Sequence, residues 1–187
     1  MIMKTPNLPE AIEVENEVIG SLIYDSQSLA MAMTLINSEK IFSSEVNRVI
    51  FKSIKSLFDD SKPVDLLTVV NDLRARGVLE SVGNPTYIAK LTENLASYKN
   101  IDYHIAILKQ KWVRREIILT ANKNINLAGN ETYDEFELLE KSTHELMLLQ
   151  EEIQFDSYFR CYCLGQKYVR IMQYEPRNPH HLRYVTN

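Results

Sequence analysis

The sequence predicts an all-α protein, a small helical bundle followed by a long antiparallel helical hairpin. Three observations carry this. Only 5 Gly and 6 Pro occur in 187 residues, too few for the many turns of a sandwich or barrel. Apolar residues recur at steps of three and four along most of the chain, the helical period. Residues 100–128 contain neither Gly nor Pro, enough for one helix of about 40 Å.

The first helix is expected from about Glu10 to Tyr24. Ala11, Val14, Val18, Ile19, Leu22 and Ile23 share one face, and Pro9 just ahead loses no hydrogen bond there. Glu13, Glu15 and Glu17 read as a solvated face. A second helix spans roughly Ser26–Ile36, with Leu29, Ala30, Met33 and Ile36 inward. Ser43 or Ser44 can cap a third, whose Val46, Val49, Ile50, Ile54, Leu57 and Phe58 form a broad apolar stripe. Ser61-Lys62-Pro63 stops it. Asp65 caps a fourth helix with Leu66, Val69, Val70 and Leu73 inward, and Gly77 ends it. Asn84-Pro85 opens a fifth, which contains Tyr87, Ile88 and Leu91.

The long sixth helix places Ile101, Ile105, Leu108 and Trp112 at steps of four, three and four, the spacing of a helix–helix seam. Gly129-Asn130 provides a turn and Thr132 a cap. The last helix runs to about Ile153, with Phe136, Leu139, Leu146, Leu149 and Ile153 along one seam, interrupted by Thr143. A hairpin of this kind either projects and offers a second apolar face to another copy, or lies along the bundle with everything internal. The spacing leaves both open. The side chains expected at a self-association seam are Leu108, Trp112, Phe136, Leu139 and Leu146. The organisation is therefore a bundle over 1–99, a self-association hairpin over 100–153, and an atypical basic, Tyr-rich tail over 154–187.

Charge separates the same segments. The whole chain carries a formal −4, yet residues 153–187 hold five cations and two anions, a net of +3, which leaves −7 for residues 1–152. An acidic globule does not seek nucleic-acid phosphates, whose capture depends on Lys and Arg. The tail's Tyr and Arg residues are a weak version of a single-strand-binding composition. No apolar run approaches the roughly 20 residues of a membrane span, and the N-terminus has no secretory core, so the cytoplasm is expected.

Motifs for catalysis are missing. Gly20, Gly77, Gly83, Gly129 and Gly165 are none of them followed by Lys, so no phosphate-binding loop is present and neither a catalytic nor a cofactor-binding residue is assigned. Cys161, Cys163, His180 and His181 pair too tightly for the usual structural zinc spacing, so no metal ligand is assigned. His104 and His144 read as packing or surface residues, with no nucleophile or carboxylate at helical spacing.

Five stretches resemble the N-terminal domain of DnaB-type replicative DNA helicases, in the family's order. Glu13-Val14-Glu15 with Val18-Ile19-Gly20-Ser21-Leu22 is similar to its E-A-E-x-x-V-L-G-S-L opening. Phe42 with Asn47-Arg48-Val49-Ile50-Phe51 resembles F-Y…H-R-x-I-F, and Pro63-Val64-Asp65-Leu66-Leu67-Thr68-Val69 resembles P-V-D-L-x-T-V. Gly77, Leu79, Gly83 and Tyr87 follow G-x-L…G-G-x-x-Y-L, and Asn100-Ile101-x-Tyr103 follows N-I-x-x-Y. The resemblance covers about residues 7–152. It departs at Asn47 for His, Asn84 for the second Gly and Val14 for Ala, and the tail from about Phe155 matches nothing in the family. The family's linker helix and RecA-like motor have no counterpart in this sequence.

The resemblance implies a collar and docking domain. In the family the hairpins pair, three dimers form a collar over the motor ring, and the collar receives the C-terminal domain of primase, while loader proteins act on the same helicase. The implied partners are thus a second copy, as a dimer or a trimer of dimers, the primase C-terminal domain and a helicase loader, with DNA touched weakly or through the tail and no membrane. Tyr87 matches the family's Y-L position. Ile118, after Arg114-Arg115, matches an apolar position on the long helix. Both are primase-binding candidates, set against a plain core role for each. The family's full-length protein is an ATP-dependent helicase, and ATP and magnesium belong to its motor domain, not to this sequence. Two other readings are a freestanding truncated paralogue that regulates a helicase, and an adaptor whose basic tail binds single-stranded DNA.

Overall fold

The computed structural model describes residues 8–93, 100–152, 158–163, 169–174 and 183–184. Seven α-helices account for most of them: α1 (Ile12–Tyr24), α2 (Ser26–Leu35), α3 (Glu45–Asp59), α4 (Leu66–Ala75), α5 (Asn84–Glu93), α6 (Ile101–Ala128) and α7 (Glu135–Glu152). Short 3-10 turns occupy Glu39–Ile41 and Glu80–Val82. The all-α expectation holds through residue 152. Three short antiparallel strands follow, β1 (Tyr158–Cys163), β2 (Val169–Tyr174) and β3 (Arg183–Tyr184), with β2 in the middle and Tyr158 opposite Tyr174. The tail had shown no helical period, and its Tyr, Phe, Val and Ile content suits extended backbone. His180 and His181 lie outside the described residues.

The chain divides into two compact units, Met1–Ile118 and Leu119–Asn187. The first is built around α1, which touches α2, α3, α4 and α5. Val18, Ile19 and Leu22 of α1 are fully enclosed with Phe42, Ile50, Phe51, Ile54, Leu73 and Ile88. The Phe42 and Phe51 rings meet at 5.1 Å in a tilted pair. On α2 the inward residues are Leu29 and Ala32, while Ala30 faces out. Phe58 and Leu66, expected inward, lie at the edges of their stripes and are partly exposed.

Caps account for the helix starts. Asp25 accepts from the Ser28 N–H at 2.8 Å, and Ser44 accepts from the Asn47 N–H. At α4, Asp65 and Thr68 satisfy each other's backbone N–H in a reciprocal capping box. Gly77 closes α4 at φ +70°, a left-handed conformation that glycine adopts without steric cost.

The boundary between units differs from the expected 99/100. Ile101, Ile105, Leu108 and Trp112 are all buried, Leu108 at 1% and Trp112 at 8% exposure. The seam spacing of α6 therefore serves the core of the first unit, and the globule continues to Ile118. Leu108 and Trp112 are removed from the self-association set for this reason. Trp112 also donates its indole N–H to Glu116 at 3.2 Å.

The second unit contains the end of α6, the turn after it and α7. Asn130 accepts from the Thr132 N–H and hydroxyl. The cap of α7 is Asp134, not Thr132: its carboxylate accepts from the N–H groups of Phe136 and Glu137, and Glu137 accepts from the Asp134 N–H in return. Lys123 on α6 pairs with Glu145 on α7 at 2.9 Å, a contact across the antiparallel hairpin. Lys141 sits over the Tyr133 ring at 5.0 Å, a cation–π contact.

Candidate docking and association surfaces

On α7 the half-buried positions are Leu138, Ser142, Glu145 and Leu149. They step by four, three and four, so they make the face that turns inward. Glu145, the partner of Lys123, belongs to it. Of the expected seam residues, Leu149 falls on this face and Ile153 lies outside the described residues, whereas Phe136, Leu139 and Leu146 lie elsewhere. Phe136 is 76% exposed, Leu139 67% and Leu146 53%, with Met147 also exposed. Together with Thr143 they form a second stripe that no described residue covers. Ile117, Leu119 and Ile125 of α6 are likewise exposed.

In the first unit a buried polar cluster stands where the sequence promised a solvated face. Glu15 is completely buried. One carboxylate oxygen accepts from the Ser43 N–H at 2.6 Å and from the Ser43 hydroxyl. The other accepts from the Ser44 N–H at 3.1 Å and from the Asn47 amide at 3.2 Å. A carboxylate from α1 therefore sits at the start of α3, where free N–H groups and the helix dipole favour a negative charge. A lone glutamate on a largely apolar helix face is a weak signal, and its partners come from 28 or more residues away.

Arg115 is the second member that sequence reasoning missed. It is buried, and its guanidinium donates to the carbonyls of Pro9 (3.0 Å), Lys40 (3.0 Å) and Ile41 (2.8 Å). Burial lowers its pKa from the ordinary value, the Glu15 charge opposes that, and the Arg48 charge adds to it. Arg48 in turn donates its Nε–H to the Phe42 carbonyl at 2.7 Å. Arg115 thereby ties the α6 side to the loop before α1 and the loop before α3.

Tyr87 is half-buried on α5. Burial raises its phenol above the ordinary value, and the Glu15 charge raises it further. The same carboxylate thus acts on Tyr87 and on Arg115, three residues before Ile118 on α6. Ile118 is half-buried too. Both primase-binding candidates are therefore reachable from solvent, and each also packs. Asn84 caps α5, its side chain accepting from the N–H groups of Thr86 and Tyr87 at 2.9 and 3.2 Å.

Among the described residues there is no cluster of His, Cys, Asp and Glu that could hold a metal ion, and no helix is long and apolar enough to cross a membrane.

The chain matches the DnaB-like helicase N terminal domain family over residues 7–110. The replicative DNA helicase DnaB of Rhodothermus marinus is 33% identical over 143 residues, 76% of this chain and 15% of that protein. DnaB of Buchnera aphidicola is 32% identical over 150 residues, 80% of this chain and 31% of that protein. The chain thus spans less than a third of these relatives. The crystal structure of the N-terminal domain of DnaB helicase from Mycobacterium tuberculosis superimposes with a TM-score of 0.70 at 21% identity, over 75% of this chain and 99% of that one. A DnaB-like replicative helicase whose interactions with primase were described by structure gives a TM-score of 0.61 at 19% identity, over 78% of this chain and 32% of that one. Family match, sequence relatives and shared helical fold agree, and the chain belongs to the DnaB-like helicase N-terminal domain family.

Proposed function

We propose that this chain is an assembly and docking module of a replicative helicase, and that it contributes no chemistry of its own. The observation that carries the reading is the uncovered stripe of Phe136, Leu139 and Leu146 on a helix whose other face is already used within the hairpin. Water-exposed side chains of this size are best covered by another protein surface, and the simplest partner is the same stripe on a second copy about a two-fold axis. Burying each side chain contributes roughly 1.5–3 kcal/mol before the cost of association. Repetition of such dimers gives a trimer of dimers as the collar.

The second part of the reading is a heterologous partner, the C-terminal domain of primase, docking at Tyr87 and Ile118. It is supported by the match of these positions to the family and by their half-exposed state, and by a structural relative described with primase. A helicase loader and a cytoplasmic location follow from the same role, while ATP and magnesium belong to a motor domain.

Sedimentation of the chain at tens of micromolar tests the first part. A dimer is expected, and Leu139→Asp should dissociate it while leaving the helical signal intact. A monomer throughout would refute association. Titration calorimetry with the cognate primase C-terminal domain tests the second. Saturable binding is expected, abolished by Tyr87→Ala with Ile118→Ala, and absence of heat for the unmodified chain would refute docking.

A further inference from the structure

The turn leading into α5 is unusual, because two consecutive residues adopt the left-handed conformation. Gly83 ends the 3-10 turn Glu80–Val82 at φ +98° and Asn84 follows at φ +69°. Glycine takes positive φ freely, and asparagine is among the few other residues that tolerate it. Asn84 then turns its side chain forward to cap α5 through the Thr86 and Tyr87 N–H groups. The backbone conformation alone would explain a glycine at 83, but a second constraint falls on the same position.

A Cβ placed on Gly83 would stand 3.0 Å from Cγ of Tyr87, 3.1 Å from its Cβ and 3.2 Å from its Cδ1. These are the root of the tyrosine side chain, not its flexible end. An added methyl cannot be accommodated by a small swing of the hydroxyl. The root of the ring or the first turn of α5 must give by a few tenths of an ångström. Gly83 thus forms a flat backbone wall against which the Tyr87 ring lies, while Asn84 fixes the Tyr87 N–H from the other side. By contrast, a Cβ at Gly77 would meet nothing within 4 Å, so Gly77 serves only its own φ.

We infer that Gly83 is a positioning residue for partner docking: it holds the Tyr87 ring in the orientation that the partner's helical domain meets. This rests on the reading of Tyr87 as a docking residue, and it extends that reading to a position no partner needs to touch. A ring fixed before binding loses little rotamer freedom when it is covered. A large aromatic side chain with a fixed orientation also matches what dominates the energy of protein interfaces.

The experiment uses the full chain with Gly83→Ala, Tyr87→Ala, their double variant, and Gly77→Ala as a control that places an alanine at a positive φ away from the ring. Two readouts are taken, affinity for the cognate primase C-terminal domain by calorimetry and the ionisation of Tyr87 followed by NMR of ring-labelled tyrosine. Gly83→Ala should weaken binding about three- to tenfold, the range expected when an anchoring ring is pushed partly off its rotamer. It should add nothing in the Tyr87→Ala background, because it acts only through that ring. The Tyr87 phenol, raised by burial in the parent chain, should fall toward its ordinary value in Gly83→Ala as the ring moves toward solvent. Gly77→Ala should leave both readouts near those of the parent, since its added Cβ meets nothing within 4 Å.

Unchanged affinity with an unchanged phenol in Gly83→Ala would overturn the inference while docking stands. An additive loss in the double variant would overturn it too, since Gly83 would then act by another route. If the parent chain fails to bind the domain, the docking reading itself fails. The phenol readout then still reports whether Gly83 sets the ring. Should Gly83→Ala not fold, Gly83→Asn adds the same Cβ with better tolerance of positive φ. Failure of both to fold would show that Gly83 serves the fold and not the ring.

Discussion

At Glu15 a single carboxylate satisfies two backbone N–H groups, a hydroxyl and a side-chain amide in a fully buried place. Truncation would strand these donors, at about 1–3 kcal/mol for each one left without a partner or water. Glu15→Ala should therefore cost at least about 3 kcal/mol by urea denaturation, and a loss under 1 kcal/mol would mean that water replaces the carboxylate easily. Arg115→Met tests the opposite partner type. It preserves much of the stem's packing but leaves the carbonyls of Pro9, Lys40 and Ile41 without their donor. A milder residue-scale test lies at the surface. Asp65→Ala removes the side chain that accepts from the Thr68 N–H and should cost about 1 kcal/mol, the usual value for an N-cap. Sequence pattern made Asp65 legible because a cap acts within three residues of itself. Glu15 reads from the sequence as solvated, and Arg115 enters it only as half of the Arg114-Arg115 pair that locates Ile118. Their partners are distant in the chain, and no local period encodes them.

The helices themselves were readable almost to the residue, since each combines a helical apolar period with a local stop or cap. What the period cannot report is which neighbour an apolar stripe meets. The α6 stripe and the α7 stripe looked like two sides of one seam. In the fold, Ile105 and Leu108 enter the core of the first unit, whereas Phe136 and Leu139 stay outside. The two stripes should accordingly answer mutation differently. Leu108→Ala should destabilise the first unit by about 2–5 kcal/mol, the range for a buried leucine. Leu139→Ala should change the melting of a dilute sample little, because its side chain is mostly exposed. The comparison is made by melting each variant at low and high protein concentration. If Leu108→Ala proved silent, the assignment of α6 to the core would be wrong. The strands after Glu152 were not legible at all. They lie in a stretch outside the resemblance, where alternation is short and helical period absent.

For the whole molecule, acid sensitivity follows from three depressed carboxylates. Asp25 is lowered by hydrogen bonds from Ser28. Glu39 is lowered chiefly by a backbone N–H, against the effect of burial and with help from Lys52. At Asp72 burial pushes upward, but hydrogen bonds from Arg76 and Ser53 outweigh it and the net shift is downward. A carboxyl with a folded pKa below its unfolded one stabilises the fold at higher pH, and the gain disappears as pH falls through the folded value. Their ordinary values are 3.8 and 4.5. Stability should therefore be level down to about pH 5 and decline below about pH 4. A pH series of denaturant midpoints checks this, and a decline beginning near neutrality would point to other groups. The unbroken helix α6 has a kinetic consequence as well. Its first half is locked by core side chains up to Trp112 and by Arg115, while its second half belongs to the hairpin unit. Backbone amides in one continuous helix should then exchange with deuterium on two clocks. Those near Ile105 to Arg115 wait for global opening of the first unit, and those beyond Leu119 exchange through local opening of the hairpin. If two hairpins pair as proposed, raising the protein concentration should slow only the second clock, because that pairing closes its route and leaves the first untouched.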